Sequence, residues 1–237
     1  MMFALLLLIM PAFVHAAGAG PQAPDRDWQF EGLPASWDKD QLYRGYQVAT
    51  QLCMACHSFK YIKHRQLADV GFTEAEIRAL SEQSGYDKND PLLSGLSPAD
   101  AKEIYGKEMP DLSLMNRARA GGADYVYALL TGYSDDPDVI AKYFPDGMPM
   151  GAYYNEYYPG HAIAMPNPLT ADGLVEYHDG TEATVEQMAE DVTYFMQWTA
   201  EPELVERKRL GVYVLIYLLI FTVLAYFLKR SIWRDVK

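Results

Sequence analysis

The sequence has very few cysteines and a shortage of basic residues, and each shortage excludes a class of protein. The 237 residues include two cysteines, Cys53 and Cys56. Two cysteines cannot build a disulfide-stapled mini-fold or a zinc site of four thiolates. Lys and Arg number 20 against 32 acidic residues, a formal net charge of -12. Because a sequence-independent grip on nucleic acid needs a Lys/Arg-rich surface, we expect no nucleic-acid partner.

The charge is also unevenly distributed along the chain. Residues 207–237 hold seven of the 20 basic residues and one acid, Asp235, so residues 1–206 hold 13 bases against 31 acids, a net charge of -18. With 50% hydrophobic and 22% charged residues, the composition is that of a globular protein. The asymmetry favours an acidic body that docks a basic partner, and a tail in a different environment.

Two apolar runs lie outside the expected globular body. Residues 3–14, followed by small residues, predict a cleaved signal peptide over residues 1–19, although no basic residue precedes the run. The alternative, an N-terminal membrane anchor, needs a longer run. Residues 210–228 contain no charge and are flanked by basic residues, which predicts a transmembrane helix over residues 207–230 rather than a buried core helix.

Between these runs, capping residues and periodicity predict a mainly helical body with long loops. Helices are expected over residues 38–52, 73–83, 97–106, 123–131 and 184–198. Residues 133–180 show little periodicity and are expected to form ordered loops, with a short hairpin near 174–182. Loops of this length in a compact domain need a reason, and packing on a large buried cofactor would supply one.

Cys53, Cys56 and His57 form a C-x-x-C-H sequence, the signature of c-type haem attachment. Both thiols fall on about one helical turn at the end of the first predicted helix, so each can add to one vinyl group of a haem. His57 then lies under the iron as the proximal ligand. A redox-active thiol pair would need a βαβ setting, which is absent here. A zinc site would require the adjacent Cys56 and His57 to reach one tetrahedral metal.

The second axial ligand is less clearly marked. Met165 precedes Pro166, with Pro168 close behind, and these prolines stiffen the backbone and present one side chain from a rigid loop. On the residues alone Met165 is favoured, with Met150 next and His161 third. The full set of candidates also contains Met109, Met115, Met148, Met188, Met196, His64 and His178.

Several further motifs resemble the cytochrome c1 family, the haem subunit of ubiquinol–cytochrome c oxidoreductase (Complex III), in its bacterial type. The similarity runs from about residue 37 to residue 234. Its segments are CMACHS, PDLS, RARAGGADY, LLTGY, YYNEYYPG, AIAMPNPL and AEPE with RKRLG. Two departures are present: Pro110 stands alone where the family usually has two prolines after an Asn-Gly-rich segment, and no cysteine is left for the body disulfide of some relatives.

The resemblance implies a fold and a set of cofactor contacts. The implied fold is mainly α, a class I cytochrome c-like haem domain with long loops, plus one C-terminal transmembrane helix. One haem c is expected to be covalent through the two cysteines, with His57 and Met165 as iron ligands. Arg119 and Tyr125 are expected to contact a haem propionate, which suits a guanidinium, and Pro110 completes the candidate cofactor-binding residues.

The resemblance also implies a role and a location. Residues 20–206 are expected to form a periplasmic c-type cytochrome domain, anchored in the bacterial inner membrane, with residues 231–237 in the cytoplasm. The implied electron donor is the Rieske iron–sulfur subunit, and the implied acceptor is a soluble or tethered cytochrome c. Cytochrome b and membrane lipid are the expected neighbours, within a dimeric complex. No catalytic acid, base or nucleophile is expected in this subunit.

Two other functions stay open on the sequence. One is a stand-alone membrane-anchored electron carrier, or the haem subunit of a different respiratory enzyme. The other is a haem enzyme such as a peroxidase, which needs an open sixth iron position. Co-purification separates the first from the expected role, and binding of cyanide or carbon monoxide identifies the second.

Overall fold

The computed structural model describes residues 20–235, which form a mainly helical body and one long C-terminal helix. The predicted signal peptide, residues 1–19, lies outside the described residues. The helices are α1 (Lys39–Gln51), α2 (Leu67–Val70), α3 (Glu74–Ser84), α4 (Pro98–Tyr105), α5 (Met115–Ala118), α6 (Gly122–Thr131), α7 (Pro137–Tyr143), α8 (Val185–Ala200) and α9 (Leu204–Ile232). Two antiparallel strand pairs are β1 (Phe59–Lys63) with β2 (Pro91–Leu92) and β3 (Tyr153–Tyr154) with β4 (Ala162–Ile163).

Capping side chains lie at the starts of the predicted helices α1, α3, α4 and α8, whereas the sequence did not predict the four-residue helices α2 and α5. The Asp38 side chain accepts hydrogen bonds from the first backbone N–H groups of α1. Thr73 and Glu76 form a reciprocal capping box at the start of α3. Ser97 caps α4, which ends at Gly106 in the left-handed conformation. These local signals account for the predicted helices, which the structure confirms.

Helices α1 and α8 pack closely together and form the centre of the core. Leu42 of α1 and Trp198 of α8 are fully buried in the same hydrophobic cluster. At Gly45 the helices approach so closely that an added Cβ would clash with the carbonyl oxygen of Asp191 and lie 2.6 Å from the Cβ of Phe195. Glycine is therefore required where the helix that precedes the C-x-x-C-H sequence crosses α8.

A buried ion pair reinforces this crossing. The Arg44 guanidinium lies 3.0 Å from a carboxylate oxygen of Asp191, whose side chain is completely buried, and 2.8 Å from Asp179. Burial raises the pKa of Asp191, and the neighbouring Arg44 opposes that rise. Arg44 thus connects α1 both to α8 and to the loop that precedes α8.

The predicted hairpin near residues 174–182 is wrong. No strand forms in this described stretch, where buried Val175 and Tyr177 alternate with exposed Glu176. The alternation reflects packing against helices, because Gln47 of α1 donates a hydrogen bond of 3.2 Å to the Glu176 carbonyl and Arg44 binds Asp179. Helix side chains therefore take the place of a strand partner.

Helix α7 lies inside the stretch that was expected to be loop. Its start is marked by Asp136, whose side chain accepts from the backbone N–H of Asp138, and by Pro137 in the first helical position. This Asp-Pro pair is a helix-start signal. The helix is only seven residues long, too short to show a periodic pattern.

Helix α9 carries the second apolar run. It spans 29 residues, and within residues 20–235 it is the one helix long and apolar enough to cross a membrane, with a mean hydropathy of 2.4 over an 18-residue window. Its first turns are tied to the body, because the Lys208 ammonium donates hydrogen bonds of 2.8 and 2.7 Å to the carbonyls of Phe30 and Glu31. The helix encloses the transmembrane segment predicted over residues 207–230.

Candidate haem site

The C-x-x-C-H sequence forms a compact turn directly after α1, where the sequence placed it at the end of the helix. Cys53–Ala55 is a short 3-10 helix, and the backbone N–H groups of Cys56 and His57 both donate to the Cys53 carbonyl, at 3.1 and 2.9 Å. Two thiols and one imidazole are thereby presented from a single turn. That arrangement suits two covalent bonds to one flat cofactor and a ligand beneath it.

The environment of the Cys53 thiol favours its protonated form. Both cysteines are free, and burial together with the neighbouring Cys56 raises the pKa of Cys53 to about 12. Redox-active and metal-binding thiols have lowered pKa values, since the thiolate is the reactive form. Among residues 20–235, no three His, Cys, Asp or Glu side chains converge as metal ligands.

The His57 ring is oriented by a backbone carbonyl. Its Nδ1 lies 2.8 Å from the Pro110 carbonyl oxygen. Because a carbonyl only accepts, Nδ1 must carry the proton, which leaves the lone pair on Nε2 for a ligand. Such a hydrogen bond on the far ring nitrogen is typical of metal-binding histidines, since it sets both tautomer and ring orientation.

The Pro110 carbonyl is held in place by its own neighbours. The Leu112 N–H donates to the Ser58 carbonyl at 2.9 Å, and the Lys60 N–H donates to the Asp111 carboxylate at 2.8 Å. The segment after Pro110 therefore runs along the strand that follows His57. Pro110 therefore contributes to the candidate site through the hydrogen bond that its carbonyl accepts from His57.

The candidate methionines for the distal ligand occupy very different environments. Met188 and Met196 are buried in the core of α8, as expected for packing residues. Met150 is fully exposed. Met165 is half-buried in a segment without regular secondary structure. The Met165 side chain is therefore neither part of the hydrophobic core nor fully exposed to solvent.

His161, the third candidate, is engaged in an aromatic cluster. Its ring centroid lies 4.1 Å from that of Tyr143 and 5.8 Å from that of Tyr154, with the latter pair nearly parallel. The residue also has a positive φ of 58°. This aromatic packing accounts for the position of the His161 ring.

The structure brings Tyr133 into contact with Met165, which the sequence alone does not predict. The Tyr133 hydroxyl donates a hydrogen bond of 3.1 Å to the Met165 carbonyl. Tyr133 lies just after α6, at the end of the LLTGY segment, and no local pattern pairs it with a residue 32 positions further on. Only the resemblance of that segment to a known family marked the region at all.

Arg119 and Tyr125 lie on either side of the turn between α5 and α6. Arg119 is exposed, its guanidinium makes a long hydrogen bond of 3.4 Å to the Ala118 carbonyl, and within residues 20–235 it forms no ion pair. Burial raises the pKa of Tyr125, and the nearby Arg119 partly offsets this rise. A cation and a protonated phenol therefore lie close together, which suits a carboxylate partner.

The candidate residues form two sets. The first is the C-x-x-C-H turn with Pro110. In the second, Met165 is linked through Tyr133 to the region of α6 that carries Tyr125. In the part of the chain that the structure describes, no hydrogen bond or ion pair joins the sets. The first set offers two thiols and an available imidazole nitrogen, and the second offers a half-buried thioether at Met165 together with the cation and phenol of Arg119 and Tyr125. These are the groups that a covalently attached haem with two axial ligands requires.

Comparison with known proteins gives consistent matches over nearly the whole chain. The sequence model described as the Cytochrome C1 family matches residues 28–236. The cytochrome c1 of Rhodospirillum rubrum is 38% identical, covering 97% of this chain and 97% of that protein. The mitochondrial cytochrome c1 haem protein of Kluyveromyces lactis is 41% identical over 94% of this chain and 80% of its own length. A Candida albicans protein called the cytochrome b-c1 complex catalytic subunit is 39% identical, covering 94% of this chain and 81% of the relative.

Proposed function

Because the chain belongs to the cytochrome c1 family, we propose that it passes electrons, one at a time, from a Rieske iron–sulfur subunit to cytochrome c within a cytochrome b-c1 complex. The observation that best supports this proposal is the geometry at His57. The hydrogen bond to the Pro110 carbonyl places the proton on Nδ1, so Nε2 is available as a ligand in the turn that also holds two free thiols. The haem supplies the one-electron redox couple. The chain supplies the attachment, the ligands, the surrounding charge and the docking surface.

We propose that Cys53 and Cys56 attach one haem c covalently and that His57 is its proximal ligand. The turn that carries all three residues directly follows α1, which is packed against α8 at Gly45. The motif is therefore built next to the most closely packed part of the body. A rigid support keeps the imidazole in one orientation as the charge of the site changes.

We propose Met165 as the distal ligand. It is half-buried where Met150 is exposed, and its backbone is held by Tyr133. The prolines at 166 and 168 limit the conformations open to this loop. Histidine with methionine is the ligand pair that raises a haem potential, as transfer to a cytochrome c requires.

Arg119 and Tyr125 are proposed to bind a propionate of the same haem. The guanidinium is an exposed cation without an acidic partner among residues 20–235, and the phenol is a half-buried donor. An arginine fork matches the two oxygens of a carboxylate. Pro110 is proposed to act through His57 and not by direct contact with the cofactor.

Helix α9 is proposed to anchor the chain in the bacterial inner membrane, with residues 20–206 in the periplasm and residues 231–237 in the cytoplasm. Three features support this proposal: the length of α9, the mean hydropathy of 2.4 over an 18-residue window, and the basic residues at both ends of the apolar run. Cytochrome b and the Rieske subunit would then lie beside α9 in a dimeric complex. The acidic body, with its net charge of -18 over residues 1–206, suits a basic cytochrome c.

Purification of the complex tests this proposal. The chain carries an affinity tag after Lys237 and is extracted from its own membranes in mild detergent. We expect cytochrome b and a Rieske protein to co-purify in constant ratio, and quinol–cytochrome c reductase activity to follow them. Recovery of the haem-containing chain without either partner would instead indicate a stand-alone carrier.

A further inference from the structure

The loop that carries Met165 has few backbone donors of its own. Pro166 and Pro168 lack N–H groups, and the Leu169 N–H is used by the Asn167 side chain at 2.9 Å. No helix or strand includes these residues. A loop of this kind must be fixed by groups from elsewhere in the fold if one side chain is to stay in place.

Tyr133 supplies that attachment. Its hydroxyl donates to the Met165 carbonyl at 3.1 Å, which is the carbonyl of the Met165–Pro166 peptide. Because a carbonyl oxygen only accepts, the phenol hydroxyl is the donor in this contact. The residue follows Gly132, where an added Cβ would lie 2.7 Å from the Tyr157 ring and equally close to a backbone carbonyl oxygen of α6. Tyr133 therefore leaves α6 along a closely packed path.

Asn155 joins the end of α6 to the strands that precede Met165. The side chain is completely buried, and its amide nitrogen donates to the Leu129 carbonyl at 2.7 Å. Its amide oxygen accepts from the backbone N–H groups of Tyr157 and Tyr158, both at 3.1 Å. Asn155 also forms an isolated β-bridge with Tyr133. The Asn155 side chain thus ties α6 to the β3–β4 connection, and the Asn155 backbone pairs with that of Tyr133.

We propose that Tyr133 is a positioning residue for the sixth iron ligand, with its hydroxyl fixing the Met165 backbone and Asn155 fixing the backbone of Tyr133. This inference rests on the proposed role of Met165 as that ligand. The physical reason is conformational, because binding of the thioether to iron competes with the freedom of the loop that carries the sulfur. A loop fixed in advance loses less entropy on ligation.

The test uses carbon monoxide titration of the reduced full-length chain in detergent, with the ferric long-wavelength Met–iron absorption as a second readout. We expect Tyr133→Phe to raise the carbon monoxide affinity by roughly two- to tenfold, the factor that corresponds to one net hydrogen bond, and to weaken the absorption. The ring is retained, so packing is preserved. The matched control is Tyr194→Phe, which removes a buried hydroxyl that contacts Asp38 and Gln29; its affinity should equal that of the wild type.

The same substitution made in a Met165→Leu chain distinguishes a failure of this inference from a failure of the proposed ligand assignment. In a Met165→Leu chain, adding Tyr133→Phe should change the carbon monoxide affinity no further, because Tyr133 acts through Met165. If Met165→Leu alone leaves the iron closed, the ligand assignment is wrong. If Met165→Leu opens the iron but Tyr133→Phe matches Tyr194→Phe, Tyr133 is not a positioning residue.

Asn155→Ser provides a second variant should Tyr133→Phe fail to accumulate. It keeps the Tyr133 hydroxyl and removes the amide donor to Leu129. We expect a higher carbon monoxide affinity than in the wild type, again abolished in the Met165→Leu background. An Asn155→Ser chain with wild-type affinity and absorption would overturn the role assigned to Asn155 in this inference.

Discussion

The Pro110 carbonyl selects the nitrogen of His57 that is free to bind a ligand. The hydrogen bond of 2.8 Å places the proton on Nδ1, so Nε2 keeps its lone pair. The residues are 53 positions apart, and the contact depends on the pairing of the Asp111 and Leu112 region with the strand after His57. At the scale of single residues, one backbone oxygen therefore sets the tautomer of the proposed proximal ligand.

The proposed role of the two thiols leads to a prediction about covalent haem attachment. In the proposed attachment, replacing Cys53 or Cys56 with Ala removes one of two covalent bonds, so each single variant should show reduced haem staining on a denaturing gel, and the double variant should show none. A matched control is Ala55→Ser, which changes an exposed residue of the same turn. Undiminished staining in both single variants would contradict the attachment.

The proposed role of Met165 leads to a prediction about access to the sixth coordination position of the iron. Met165→Leu keeps the bulk and removes the sulfur, so the chain should fold, the midpoint potential should fall and carbon monoxide should bind the reduced protein. Redox titration and an optical spectrum measure both effects. Met150→Leu is the control, because that side chain is fully exposed. If Met150→Leu rather than Met165→Leu lowers the potential, the ligand is Met150.

The sequence predicts these residues unequally, for a physical reason. The residues of the C-x-x-C-H motif lie on one turn, so their spacing alone indicates their chemistry. Met165 stands out through the adjacent proline, although Met150 and His161 could not be separated from it without their environments. The partnership of Tyr133 with Met165 joins residues 32 positions apart, and such a contact leaves no local pattern.

At the scale of elements, the contact between α1 and α8 supports the turn from Cys53 to His57, here called the haem turn. Gly45 allows the two backbones to meet, and the Arg44–Asp191 pair ties the same turns together. Helix α1 leads within two residues into Cys53. Any change in the crossing of α1 over α8 should therefore be transmitted to the haem turn.

Gly45→Ala tests this crossing. An added Cβ would meet Asp191 and Phe195, so we expect a loss of about 1–3 kcal/mol in the free energy of unfolding, as for other overpacked cores. Alanine is otherwise the better helix former, so a loss isolates the steric effect. Circular dichroism of the detergent-solubilised haem protein against temperature measures it. Gly95→Ala, with open space around the added Cβ, is the control, and equal stability of both variants would contradict a tight crossing.

The elements that the sequence predicts are those with complete local signals. Caps at Thr73, Ser97 and Thr184 mark helix starts because each bonds to backbone within three residues. The hairpin expected near 174–182 is absent because its alternating residues pack on helices that lie far away in sequence. Helix α7 has a start signal at Asp136, but its seven residues are too few for a periodic pattern.

At the scale of the whole molecule, charge separates the acidic body from the basic end of the chain. Residues 1–206 carry a net charge of -18, whereas residues 207–237 hold seven bases and one acid. An acidic body attracts a basic soluble partner over a distance and raises the rate of encounter. The basic residues instead flank the apolar part of α9, where they suit a membrane surface.

This separation predicts a steep salt dependence. The second-order rate of electron transfer to a basic cytochrome c should fall as salt rises from about 0.1 to about 1 M, since the Debye length shrinks from about 10 Å to about 3 Å. Stopped-flow measurement with the quinol step kept from limiting gives the rate. The absorption spectrum of the iron should not change over the same range. A flat rate would show that the acidic surface does not steer this partner, as expected for a tethered acceptor.

The most direct test follows the haem of this chain in the purified complex through one turnover. Ubiquinol is mixed rapidly with the oxidised complex, and oxidised cytochrome c is added in a second mixing step. We predict that quinol reduces the haem, that cytochrome c then oxidises it, and that a His57→Ala complex shows neither phase at this haem. A haem that stays oxidised in the presence of quinol, or that stays reduced in the presence of oxidised cytochrome c, would contradict the proposed path of electrons.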